Sequence, residues 1–185
     1  MHVFKRYTIE IIVKRWYNVF DILLKHAGGR MEIFKVTFFG HREISNEREV
    51  EERLSRLVRD LLRKKDYVEF YLGRNGDFDV LCARVIRAAR AALGEDNSSM
   101  ILVLPYHVKD EEFYENYYSE VLLPESLLSM HPKSAIGARN RFMAQEADLV
   151  ISYICHDGGA SRAVRFAEKA GKCVINVATE GDEPR

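Results

Sequence analysis

The chain lacks the glycine signatures most often found in α/β proteins that hold phosphates. No GxGxxG follows its first strand-like run, which excludes the standard NAD fingerprint, and no GxxxxGK[ST] occurs, which excludes a P-loop NTPase. Cysteine is scarce. Cys82, Cys155 and Cys173 are an odd number without a CxxC pair, so they fit a reducing compartment and read as small buried hydrophobes. HExxH and HxH are both missing, and no metal is expected. No uncharged apolar run approaches the ~20 residues that span a bilayer, so no transmembrane segment is expected and the protein is read as cytoplasmic. Net charge is missing too: 28 Lys and Arg balance 28 Asp and Glu. That argues against a general nucleic-acid partner, which calls for a basic excess to displace counterions, and leaves room for a local basic pocket.

What is present is a globular composition, 47% hydrophobic over 185 residues, enough for one domain with a full core. Residues 1–30 differ from the rest. They carry six Lys and Arg against two acids, with Ile9, Ile12, Val13, Trp16, Val19, Phe20, Leu23 and Leu24 at helical spacing and Gly28-Gly29 as a stop. This predicts an N-terminal amphipathic helix, an extension to a domain over 31–185. From Met31 the pattern alternates. Apolar runs at 33–39, 68–73, 100–106, 148–154 and 173–178 read as strands. Helical spacing occupies 46–65, 78–93, about 135–146 and about 160–170. The expected fold is a three-layer α/β sandwich of Rossmann-like type, with a five-stranded, mainly parallel sheet covered on both faces.

In an open parallel sheet, ligands bind beyond the carboxyl ends of the strands, at the switch point in strand order. The sequence puts its glycine–polar clusters there: Gly40-His41-Arg42 after the first strand, Gly73-Arg74-Asn75-Gly76-Asp77-Phe78-Asp79 after the second, and Cys155-His156-Asp157-Gly158-Gly159 after the fourth. With strand order 3-2-1-4-5, Gly40–Arg42 faces Gly158-Gly159 across the crevice. Glycines let backbone N–H groups approach an anion, helix N-termini carry partial positive charge, and arginine is a permanent bidentate clamp. Arg139, Asn140 and Arg141 enter the helix ahead of the fourth strand. Asp77 and Asp79 are acceptors suited to a ribose or base; Asp77 is equally a helix cap after an Asn75-Gly76 turn. The candidate ligand-binding set is Gly40, His41, Arg42, Gly73, Asn75, Gly76, Asp79, Arg139, Asn140, Gly158 and Gly159, with no catalytic residue assigned and no cofactor expected.

These residues carry a family resemblance. TFFGHR, GRNGDFDVLCARVIRAA, ARNRFMAQEADLVI and GGASRAVRFAEKAGKCVINVA, covering about 31–178, resemble the SLOG superfamily, which unites DprA (Smf), the LOG-type phosphoribohydrolases and YpsA-like proteins, and are most similar to its small bacterial members. The resemblance implies a Rossmann-like fold that binds a nucleotide or nucleotide-derived small molecule, with Arg139 matching the superfamily arginine. It implies two alternatives as well: a phosphoribohydrolase cleaving the N-glycosidic bond of a nucleoside monophosphate, and DprA-like binding of single-stranded nucleic acid. LOG enzymes carry PGGxGTxxE with a catalytic Glu; here the turn is Asp157-Gly158-Gly159-Ala160-Ser161-Arg162, and Arg165 stands where that Glu would be.

Other groupings are weaker. His41, His107 and His156 follow three different strands and could meet on one rim. Glu111 to Glu120 interleave acids with Phe113, Tyr114, Tyr117 and Tyr118, either an aromatic lid or an amphipathic segment packed at the sheet edge. Arg84, Arg87 and Arg90 read as a solvated helix face. Apolar helix faces suggest a homo-oligomer.

Overall fold

The computed structural model describes residues 31–109, 111–179 and 182. By its contacts the chain divides into a unit Met1–Glu32 and a unit Ile33–Arg185; the sheet and its helices belong to the second. The helix expected over 1–30 lies outside the described residues.

The described residues form six strands: β1 (Ile33–Gly40), β2 (Tyr67–Leu72), β3 (Ser98–Val103), β4 (Glu120–Leu122), β5 (Leu149–Tyr153) and β6 (Cys173–Asn176). Among the described residues the helices are α1 (Glu47–Lys64), α2 (Asp77–Leu93), α3 (Glu111–Tyr117), α4 (Pro132–Glu146) and α5 (Gly159–Lys169), with a 3-10 turn at Glu125–Leu127. The sheet order is β4-β3-β2-β1-β5-β6 and every pair is parallel. The sheet is therefore six-stranded and wholly parallel, not five-stranded and mainly parallel. The missed strand, β4, is three residues long and lies inside the acidic aromatic connection, and its apolar run, Val121-Leu122-Leu123, is shorter than the others. Its pairing with β3, Ile101 opposite Glu120 to Val103 opposite Leu122, creates it.

Period-two alternation sorts side chains to the two faces. Val36, Phe38, Val68, Phe70, Leu72, Met100, Leu149 and Ile151 meet α1 and α2, while Phe39, Tyr71, Ile101, Val103 and Val150 meet α4 and α5. Helix α1 buries Val50, Leu54, Val58 and Leu62, one residue every turn. Leu54 is fully buried, so Leu54→Ala costs about 2–5 kcal/mol. Helix α4 begins with Pro132 at its first position and the His131 Nδ1 accepting the Lys133 N–H at 3.2 Å. Its buried face is made of small residues, Ala135, Ala138 and Ala144, beside Met143.

The helices on the two sides of β1 lie on opposite faces of the sheet, so the switch point falls between β1 and β5, which are hydrogen-bonded from Val36–Leu149 to Gly40–Tyr153. Two expectations about side chains change. Cys82 is buried, but Cys155 is half-buried and Cys173 exposed, because Cys173 opens an edge strand. The arginines of α2 are not simply solvated. Arg84 bridges Glu47 and Glu51 of α1 at 2.7 and 2.8 Å, and Arg87 lies 4.2 Å over the Tyr117 ring. Tyr117 and Tyr118 pack on the core beside β4, so this part of the aromatic segment is wall rather than lid. No helix among the described residues is long and apolar enough to cross a membrane.

Candidate functional site

A cavity of about 570 Å³ opens at the carboxyl ends of β1, β2 and β5, within the range of about 300–1,000 Å³ usual for small-molecule sites. Ten of the eleven residues singled out in the sequence line it: Gly40, His41, Arg42, Gly73, Asn75, Asp79, Arg139, Asn140, Gly158 and Gly159. Gly76 does not. Its φ of 151° favours glycine, and a Cβ there would stand 2.8 Å from the Arg42 Cα. It lets the start of α2 close on the β1 loop, where the Asp77 N–H donates to the Arg42 carbonyl at 2.8 Å. Asp77 is thus the first residue of α2 rather than its cap.

The glycines of the rim have different causes. A Cβ on Gly40 would run into the ring of Phe78, which stacks on Tyr153 at 5.8 Å. A Cβ on Gly73 would lie 2.6 Å from Asp79 Oδ2 and 2.9 Å from Arg139 Nη1. Around Gly158 and Gly159 nothing lies within 4 Å of a built Cβ, and neither has a positive φ that disfavours side chains. Their turn is held from behind. Ser161 Oγ accepts the Gly158 N–H at 2.8 Å, and Arg165 Nη1 pairs with Asp157 Oδ1 at 2.6 Å. The Arg165 guanidinium keeps the exposed Asp157 carboxyl below its ordinary range. The N–H groups of Gly159 and Ala160, the first two of α5, have no partner among the described residues.

Arg139 sits in mid-helix on the buried side of α4, 5% exposed. Its Nε donates to Asn140 Oδ1 at 2.9 Å and its Nη1 to the Val103 carbonyl at 3.2 Å, and it makes no ion pair among the described residues. Burial lowers its pKa, the Asp79 charge opposes the fall, and the Arg74 charge adds to it; a guanidinium keeps its proton regardless. Asp79 is its nearest carboxylate influence. Burial pushes the Asp79 carboxyl up, against the Arg139 charge and the hydrogen bond from the Asn75 N–H at 2.8 Å. That bond reaches back from the third residue of α2 to the residue before its cap, so one Asp79 oxygen serves the helix start. Exposed Arg42 has no side-chain partner among the described residues.

His41 takes a different part. Its N–H donates to the Tyr153 carbonyl at 3.3 Å, and its Nε2 accepts from the N–H groups of Cys155 at 2.9 Å and His156 at 3.3 Å. The two histidine rings are 3.7 Å apart. His107 does not line the cavity. Among the described residues no group of three or more His, Cys, Asp or Glu is placed to hold a metal ion.

Two lining residues stand outside the candidate set. Tyr153, the last residue of β5, reaches the Ser45 N–H at 3.1 Å and the Asp182 carbonyl at 3.0 Å through its hydroxyl. Asp182 is buried, taking Arg53 Nη2 at 2.7 Å, the Thr179 N–H at 2.8 Å and Asn46 Nδ2 at 3.1 Å. Burial works against its charge, yet these donors hold its pKa below the ordinary value. Tyr153 could have been anticipated as the end of an alternating strand; Asp182 bonds across 129 residues, beyond any local pattern.

The fold and its crevice define a doubly wound parallel α/β protein with an open helix start at the switch point. No family model matches the chain, and no curated protein matches it. Among solved structures it is similar to the molybdenum cofactor carrier protein of Chlamydomonas reinhardtii, with a TM-score of 0.46 and 16% identity over 77% of this chain and 75% of that one.

Proposed function

We propose that the β1/β5 crevice binds a nucleotide or nucleotide-derived small molecule, its phosphate on the N–H groups of Gly159 and Ala160 and its sugar hydroxyls toward Asp79. One observation carries this reading: an open, side-chain-free helix start shares a cavity with a nearly fully buried, unpaired arginine. Burial opposes the Arg139 charge and Asp79 offsets that only in part, and an anion at the first turn of α5 answers both Arg139 and the free N–H groups. Asp79, acceptor-only when ionised, suits the hydroxyls of a ribose. The SLOG resemblance of the segment around Arg139 and of the Gly158-Gly159 turn supports the same ligand class.

Thermal melting with AMP, ADP, adenosine and inorganic phosphate tests it. The phosphorylated nucleosides should raise the melting temperature, and adenosine should not. A ligand at a hundred times its Kd stabilises by about 2.7 kcal/mol. No shift with any phosphorylated compound would overturn the reading. Where the catalytic Glu of the phosphoribohydrolases would stand, the helix after the glycine turn offers Arg165, tied to Asp157, so AMP should be recovered intact after incubation. Release of adenine and ribose 5-phosphate, followed by chromatography, would favour the phosphoribohydrolase instead.

A further inference from the structure

We propose that His41 is a positioning residue, which meets the ligand not with its imidazole but by clasping the β5–α5 turn so that Gly158 and Gly159 present an open helix start. The proposal rests on the nucleotide-binding reading for its consequence and on geometry for itself. Strand β1 ends at Gly40, paired with Tyr153 of β5. One residue on, His41 extends this ladder through its own N–H to the Tyr153 carbonyl and then closes it through its side chain, with Nε2 accepting from both Cys155 and His156. Three hydrogen bonds from one residue thus span the switch point. They fix the two residues directly ahead of Asp157-Gly158-Gly159.

Two donors converging on Nε2 require a lone pair there, so the imidazole is neutral with its proton on Nδ1. Protonation would turn the acceptor into a third donor facing two others, and the clasp would open. The surroundings resist that step. His41 is half-buried, and both burial and the neighbouring His156 lower its pKa. The groups around it are Arg42 and Glu43 on its own loop, Tyr153 at the end of β5, and Cys155, His156 and Asp157 in the turn. Asp79, Arg139 and Asp182 line the same cavity.

The consequence has a distinctive sign. A histidine that touches phosphate directly gains charge in acid, and affinity rises as pH falls. A histidine that must stay neutral to hold the turn gives the reverse. Below its pKa, affinity falls by about tenfold per pH unit, because only the unprotonated fraction is competent.

Two measurements on the full chain decide the matter. In the ligand-free, 15N-labelled protein, long-range nitrogen–proton spectra at pH 7.5 should show the His41 Nε2 unprotonated. On acidification the amide signals of Cys155 and His156 should move with the midpoint of His41, below that of a free histidine. A proton on Nε2, or amides that ignore the titration, overturns the clasp whether or not any nucleotide binds. In the second, calorimetry measures AMP affinity at pH 7.5 and 5.0 for the wild type, His41→Gln and His41→Ala. Gln offers a neutral acceptor that cannot titrate, and the ratio of wild type to Gln cancels the ionisation of the AMP phosphate. That ratio should fall in acid, by less than the about thirtyfold an unshifted histidine would give, and Gln should recover part of the affinity that Ala loses at pH 7.5. A ratio that rises or stays flat overturns the proposal. If the wild type binds neither AMP nor ADP at either pH, the nucleotide-binding reading fails while the spectra still judge the clasp.

Discussion

The two sides of the crevice use glycine for opposite reasons. On the β1/β2 side, Gly40, Gly73 and Gly76 are each pressed by a neighbour: the Phe78 ring, the Asp79 and Arg139 side chains and the Arg42 backbone. On the β5 side, Gly158 and Gly159 are pressed by nothing within 4 Å. The first set lets α2 dock tightly against the strand ends. The second leaves space at the start of α5 that no part of the fold requires. A glycine cluster in sequence therefore signals close approach, but the approaching body differs: protein on one side, and on our reading a ligand on the other.

That contrast can be broken most forcefully at Arg139, which joins the two sides. A charge-assisted hydrogen bond contributes about 1.5–3 kcal/mol, so Arg139→Ala should weaken AMP binding by about ten- to a hundredfold. Arg139→Lys should recover only part, since a point charge cannot reproduce the fork. Calorimetry well below both melting temperatures reads this, and unchanged affinity in the alanine variant would remove Arg139 from the site.

Exchanging alanine between the two glycine sets comes next. Gly40→Ala drives a Cβ into Phe78, and overpacking of this kind costs about 1–3 kcal/mol, or about 2–4 °C of Tm per kcal/mol at this chain length. Gly159→Ala should leave Tm nearly unchanged and weaken AMP by about tenfold, as a phosphate held off the N–H groups loses a charged hydrogen bond. If Gly159→Ala melts early and binds normally, the two sides do not differ in this way.

Asp79 gives a smaller, pH-dependent effect. A carboxyl whose folded pKa is raised favours folding while protonated, below about pH 3.9, and loses that contribution as pH rises through its folded value. Asp79→Asn removes the loss and can still accept the Asn75 N–H. Its Tm should exceed the wild type's at pH 7, with the gain shrinking toward pH 4, while AMP affinity declines. Equal gains at both pH values in thermal melts would contradict a buried, ionised Asp79. Least affected should be a chain beginning at Met31. It keeps both glycine sets, so its melting and AMP affinity should match those of the full chain.

Much of this arrangement is legible in the sequence. The apolar runs of β1, β2, β3, β5 and β6 and the helical spacing of α1, α2, α4 and α5 place the glycine–polar clusters at one sheet edge, because strand and helix periods are local and each element buries one stripe. Strand β4 is not legible, since its three residues become a strand only through β3. Neither is the exposure of Cys173, which depends on lying at the sheet's edge.

What the sequence determined by itself was the alternation of elements, the position of the crevice beyond the strand ends and the presence there of arginine, histidine and glycine. The tertiary structure alone decided which glycines are crowded and which are open, that Arg139 is buried while Arg141 is exposed, and that His41 turns its lone pair to the turn holding Cys155. The reason is separation along the chain. Periodicity acts over a few residues, whereas His41 and Cys155 are 114 apart and Arg53 and Asp182 are 129 apart. Whether a lone pair finds a donor, or a glycine has room for a methyl group, depends on which distant segment the sheet order brings beside it.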